Sequence, residues 1–171
     1  LPFEMYPQAR DTSYVFESEV AETAFSGLTG SVVYTNEDFT AIWRWRDAVT
    51  RDFQARMDWC VEPQNGADHN PRIDILGDKN RTVLQAKAKA GEAIEIDASD
   101  STADHGQTIA FNWYFYPESG TYEGHLPEIA ADGAKASFTL PADAAGKEVH
   151  LICEATSSGL QVPLTSYRRI V

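Results

Sequence analysis

The chain has 171 residues, with 14 basic against 26 acidic side chains for a net charge of −12, and 43% of its residues are hydrophobic. That length predicts one domain with at most an appendage, able to bury a core without disulfide staples. The acidic excess repels polyphosphate and forgoes counterion release, which makes nucleic acid a poor partner, and no apolar run approaches the roughly 20 residues of a membrane span. No basic segment followed by an apolar one opens the chain, and it starts on Leu1, so it reads as a piece of a longer protein.

Residues 1–35 show neither helical nor strand periodicity and are expected to be mostly irregular. Ser18 to Phe25 is a candidate short helix, broken by Ser26-Gly27-Leu28-Thr29-Gly30. The aromatics Phe3, Tyr6, Tyr14, Phe16 and Phe25 are too many for a disordered tail, so this segment should pack on something.

Residues 36–62 change to a helical pattern. Thr35-Asn36-Glu37-Asp38 supplies a capping oxygen and acidic residues for a first turn. Phe39, Ile42, Trp43, Arg46, Val49, Phe53, Arg56, Met57 and Cys60 recur at three- and four-residue spacing and form one stripe. Trp45, Ala48, Asp52, Ala55 and Trp59 form a second. A helix apolar on two sides is expected to lie between two bodies, and Trp43, Trp45, Arg46, Arg56 and Trp59 are its candidate docking residues. The arginines can stack on tryptophan faces and pair with Asp52 or Asp58.

Residues 63–71, PQNGADHNP, have the composition of a linker. From residue 72 to 171 the period becomes two. Ile94, Ile96 and Ala98 alternate with Glu95 and Asp97, and Ile109, Phe111, Trp113 and Phe115 alternate with Ala110, Asn112, Tyr114 and Tyr116. Arg72 to Leu76, Val83 to Lys89, Ala136 to Leu140, Glu148 to Ala155 and Ser166 to Val171 are further strand candidates. About seven strands in roughly 100 residues predict an immunoglobulin-like (PKD-like) β-sandwich, giving a mainly β chain with one long amphipathic helix ahead of the sandwich.

Cys60 and Cys153 fit no metal or redox spacing. A disulfide would close a long loop, but the strand pattern favours free thiols. Cys153 shares a face with Val149, Leu151 and Ala155 and should face Trp113, while the partner strand offers Ile96 where a cysteine would be needed. Cys60 is expected at the helix end.

Catalytic motifs are absent: there is no Gly-rich phosphate loop, no His-Glu-x-x-His helix and no Gly-x-Ser-x-Gly elbow. His69, His105, His125 and His150 are scattered, and no cofactor or metal is expected. Asp97, Asp100 and Asp104 in DASDSTADHG form the best carboxylate cluster for calcium. Hydrogen bonding of these side chains to the turn backbone is the favoured alternative. Asn80-Arg81-Thr82 matches a glycosylation acceptor, a pattern too short to carry weight.

The stronger functional candidate is a surface of aromatic rings. Asn112, Tyr114 and Tyr116, followed by Glu118, Tyr122 and Glu123, place flat apolar faces beside hydrogen-bonding groups, as a sugar ring requires. Cross-strand packing is the competing explanation for the tyrosines. A hydrolase acting on glycosidic bonds would need paired carboxylates about 5–10 Å apart, and Glu118 and Glu123 are the nearest candidates.

The segments WRWRDAVTRDFQARMDWCV, ADHNP, AGEAIEIDASDST, IAFNWYFYPESGTYEG, VHLICEATSSG and PLTSYRRIV, in that order from about Trp43 to Val171, resemble the C-terminal region of a bacterial family of cellulose-binding proteins. In that family a nucleoside-hydrolase-like domain precedes this region. The resemblance implies a secreted, periplasmic or envelope-associated protein whose catalytic aspartates and calcium would belong to the N-terminal domain. It also implies a non-catalytic immunoglobulin-like domain here. Family members carry an Asp-Pro-Asp-Gly type turn where this chain reads Ser101-Thr102-Ala103-Asp104-His105-Gly106, which weakens the calcium reading further.

These readings converge on an accessory domain that binds polysaccharide, cellulose or a related plant glycan, through Tyr114, Tyr116, Glu118 and Tyr122. The alternative is a structural module that docks on an N-terminal domain of the same protein.

Overall fold

A computed structural model describes residues 44–171 together with the strands Val15–Ser18 and Val32–Thr35. The chain divides into two compact units, residues 1–50 and 51–171. In the first, β1 (Val15–Ser18) and β2 (Val32–Thr35) pair antiparallel, with Val15 opposite Thr35 and Ser18 opposite Val32. Ordered strands therefore stand where the sequence pattern predicts irregular chain: four-residue strands are too short to show a clear period of two. Of the candidate helix from Ser18 to Phe25, Ser18 ends β1 and the rest lies outside the described residues, as do the capping segment at 36–38 and Trp43.

Helix α1 runs from Arg46 to Asp58, after a turn at Arg44 and Trp45. Spacing marks the face of a helix rather than its first residue, which is why the start differs from the expected Asn36. Asp52 and Arg56 pair across one turn at 2.6 Å, and the Arg56 guanidinium lies 5.3 Å from the centre of the Trp59 ring.

The second unit is mainly β. Strands β3 (Ala93–Asp97), β6 (Lys135–Thr139) and β5 (Ala130–Asp132) form one antiparallel sheet in the order β3-β6-β5. Strands β4 (Ile109–Phe115), β7 (Leu151–Ser157) and β8 (Thr165–Ile170) form another, in the order β4-β7-β8. Arg72 to Leu76 and Val83 to Lys89, expected as strands, make only isolated bridges, Arg72 to Thr102, Ile75 to Asp78 and Leu84 to Ile170. Their alternation reflects burial of Ile73 and Ile75, which a loop on the core achieves as well as a strand does. Strand β5, fully exposed and three residues long, carries no burial pattern to read.

One apolar cluster joins the two sheets. Ile96 and Ala136 come from the first, Trp113, Leu151, Cys153, Ala155 and Ile170 from the second, and Ile73 and Ile75 from the segment before β3. Trp113 stands directly opposite Cys153 in the ladder. Its indole N–H donates to the carbonyl of Gly133 at 3.1 Å, in the two-residue turn between β5 and β6, where a positive φ requires glycine. Both cysteines are free. Cys153 is fully buried, and Cys60 is exposed just past the end of α1.

Candidate functional site

The outer face of the β4-β7-β8 sheet carries the expected tyrosines. Register places Asn112 opposite Glu154 and Glu154 opposite Tyr167. The Asn112 amide donates to Glu154 Oε2 at 3.0 Å, and the Tyr114 hydroxyl donates to Oε1 of the same carboxylate at 3.1 Å. Tyr167, which the sequence reading passed over, is 60% exposed at the edge of this row. Its signal was its outward parity on the last strand. Tyr116 is half-buried where β4 ends, and Glu118 is exposed in the short 3-10 turn Pro117–Ser119. In the neighbouring row Ile152, opposite Tyr114, is buried, while Tyr114 itself is half-buried.

Tyr122 departs from the expected surface. It is only 9% exposed, and its hydroxyl donates to Asp143 at 2.7 Å, which pushes its ionisation upward. Its ring braces the loop against the Asp143 turn and offers no platform; alternation along β4 does not extend into the loop that follows. Glu123 is exposed in the same loop.

The segment read as a linker is a structural hub instead. Ala67, Asp68 and Pro71 are buried. The Asp68 carboxylate accepts the backbone N–H groups of Leu160, Gln161 and Val162 at 2.6, 2.8 and 2.8 Å, and the Gln107 side-chain amide at 2.7 Å. Burial pushes this carboxyl up, but those donors outweigh it and hold the group below its ordinary value. The backbone loop it grips turns at Gly159, where φ is positive and an added Cβ would meet the Val162 carbonyl. A composition rich in Asn, Asp and Pro signals a departure from regular structure but does not separate a linker from a loop whose polar side chains organise distant backbone.

Trp59 attaches α1 to this hub. Its indole N–H donates to the Asp68 carbonyl at 2.8 Å, its ring stacks on His69 at 5.5 Å, and it packs beside Ala55, Val162 and Leu164. The second of the two helical stripes thus meets the β unit through Ala55 and Trp59. In the first stripe Val49, Phe53 and Met57 are exposed, Phe53 at 65%. Of the other expected docking residues, Trp45 and Arg46 are half-buried and Arg56 is exposed.

Below Trp59 lies a polar cleft. His69 Nδ1 sits 3.0 Å from Asp104 Oδ2, and these two residues with Gln64 line adjoining cavities of about 430 and 390 Å3. The aspartates of DASDSTADHG do not converge. Asp97 accepts the Ser99 N–H at 2.8 Å and lies 3.4 Å from Lys135, while Asp104 faces His69. Among the described residues no group of three or more histidine, cysteine or acidic side chains is arranged to hold a metal ion, and no helix is long and apolar enough to cross a membrane.

The fold and surfaces define a mainly β domain with one attached helix, carrying an aromatic and carboxylate face and a polar cleft. Residues 93–171 match the family model described as the C-terminal domain of cellulose-binding protein Sde0182. A solved structure of a nucleoside hydrolase-related hypothetical protein from Saccharophagus degradans, described as associated with carbohydrate metabolism, is similar at a TM-score of 0.73 and 32% identity. The similarity covers 82% of this chain and 34% of that one, so the chain spans about a third of its neighbour's length. No curated protein matches the sequence.

Proposed function

We propose that this chain is a non-catalytic accessory domain that binds polysaccharide, cellulose or a related plant glycan, and that its two sheets form an immunoglobulin-like sandwich. The observation that carries this reading is the family match of residues 93–171, a family named for cellulose binding. The contact surface is the outer face of β4 and its end, Tyr114, Tyr116 and Glu118, extended by Asn112, Glu154 and Tyr167. Rings of this kind offer an apolar face to the C–H groups of a pyranose, and the carboxylates accept from its hydroxyls. The parent protein is secreted, periplasmic or envelope-associated, where such a glycan is met.

Retention of the purified chain on insoluble cellulose, with xylan and chitin in parallel at high salt, tests this reading. Tyr114→Ala with Tyr116→Ala should abolish retention while the fold survives; undiminished retention rejects this face.

A second reading is favoured by the exposed stripe Val49, Phe53, Met57 and Val61 on and just beyond α1. A row of apolar residues at four-residue intervals is a helix face that a partner covers. The partner is an N-terminal domain of the same parent, consistent with the chain's share of its longer structural neighbour.

A further inference from the structure

The cleft beside Trp59 continues into a cavity of different character. Arg72 and Arg81 line both the cleft of about 390 Å3 and a neighbouring cavity of about 240 Å3, whose lining also includes Lys79, Asn80 and Arg168. In a protein of net charge −12, four cations thus gather in one place. Asp78 and Asp74 offset part of that charge: Arg168 Nη2 lies 3.1 Å from Asp78 Oδ2, and Lys79 Nζ lies 3.5 Å from Asp74 Oδ2. Arg72 and Arg81 have no acidic partner among the described residues and are exposed.

Arg168 is the more informative residue. It is 2% exposed, on the inward face of β8, and its Nε and Nη1 atoms have no hydrogen-bond acceptor among the described residues. A buried guanidinium with idle donors is costly, so an acceptor is expected to complete it. The cavity walls are set in advance. Arg72 and Thr102 exchange backbone hydrogen bonds at 2.7 and 3.0 Å, the Asn70 amide donates to the Thr165 carbonyl, and the Ser166 hydroxyl donates to the Pro71 carbonyl.

We propose that this cavity binds the carboxylate of a uronic acid residue, so that the groove from His69 to Arg168 selects an acidic polysaccharide branch over a neutral one. The inference rests on the polysaccharide-binding reading above. Planar guanidinium groups match a carboxylate with paired N–H donors. The cavity is smaller than the roughly 300–1,000 Å3 of drug-sized ligand pockets, which suits one charged group, and the adjoining cleft supplies amide and carboxylate partners for ring hydroxyls. A ligand with a single negative charge on a hydroxyl-rich body also suffers less than a polyanion from the acidic surroundings and from Asp104.

The test is calorimetric titration of the 171-residue chain, with backbone amide shifts of Arg72 and Arg81 followed by NMR. The probes are a xylo-oligosaccharide bearing one glucuronate, the same molecule with the carboxylate methyl-esterified, cellohexaose, and inorganic phosphate. The acid form should bind about tenfold more tightly than its ester, the worth of one charge-assisted hydrogen-bonded contact. Arg72→Gln with Arg81→Gln, both at exposed positions, should remove that preference. Equal binding of acid and ester, or a preference that survives both substitutions, overturns the inference while leaving neutral glycan binding intact. Binding of phosphate at these residues without the glucuronate ligand overturns the sugar assignment. Failure of every sugar to bind overturns both readings.

Discussion

The carboxylate of Asp68 accepts the backbone N–H of Val162 at 2.8 Å, across 94 residues of chain. The same side chain collects Leu160, Gln161 and Gln107, and its own carbonyl receives the Trp59 indole. One residue therefore ties α1, the segment after it and the β7–β8 loop into a single arrangement.

Asp68→Ala should lower stability by about 2–3 kcal/mol, because it strands several donors of which one, at Val162, is buried. Asp68→Asn should cost less, since an amide keeps one acceptor oxygen. Urea midpoints of the two variants check the order; an unchanged midpoint for the alanine variant would show that the hub contributes nothing.

Acid should act through the same group. Asp68 sits below its ordinary value of 3.8, as do Asp78, held by the Asn80 amide and Arg168, and Asp97, held by Ser99 and Lys135. A carboxyl depressed in the folded state takes up its proton at higher pH when unfolded. Its stabilisation is thus complete above about 3.8 and is lost as pH falls through the folded values. Thermal melts from neutral to about pH 2 should show that fall, with a shallower slope in Asp68→Asn.

Thiol chemistry should separate the cysteines. Burial, with the Glu154 charge adding to it, pushes the Cys153 thiol up to about 12. A disulfide reagent should therefore modify Cys60 alone in the native chain and both after unfolding. Because the folded thiol holds its proton more tightly than the unfolded one, its contribution to stability is complete below the ordinary value of 9.0 and declines as pH rises above it.

Tyr122→Phe removes the hydroxyl bonded to Asp143 and should cost about 1 kcal/mol, with no change in glycan retention. Tyr114→Ala should show the opposite pattern in the cellulose assay, losing retention. Loss of retention in Tyr122→Phe would return that residue to the binding surface.

Trp59→Ala should release the C-terminal half of α1, since it loses the Asp68 bond, the His69 stack and the contacts to Val162 and Leu164 together. A cost of about 3 kcal/mol is expected for a truncation of this size. Phe53→Ser and Met57→Ser, on the exposed face, should leave stability within about 0.5 kcal/mol and reduce binding of a hydrophobic dye. A destabilised serine variant would mean that this stripe packs within the chain.

Local pattern was enough for β3, β4, β6 and β8, where alternation follows from one face meeting the core, and for placing Cys153 beside Trp113 and Ile96 without a disulfide. It was also enough to find two apolar stripes on α1, but not to tell which one the β unit covers. That choice depends on Ala55 and Trp59 meeting Val162 and Leu164, residues about a hundred positions away. PQNGADHNP read as a linker because composition reports only what a segment avoids; the role of Asp68 exists once the β7–β8 loop is brought to it. The basic cavity has the same origin. Arg72, Arg81 and Arg168 are separate in the sequence, and only the packing of the segment after the hub against β8 brings their charges together. Periodicity is a property of neighbours along the chain, whereas a binding site is a property of neighbours in space.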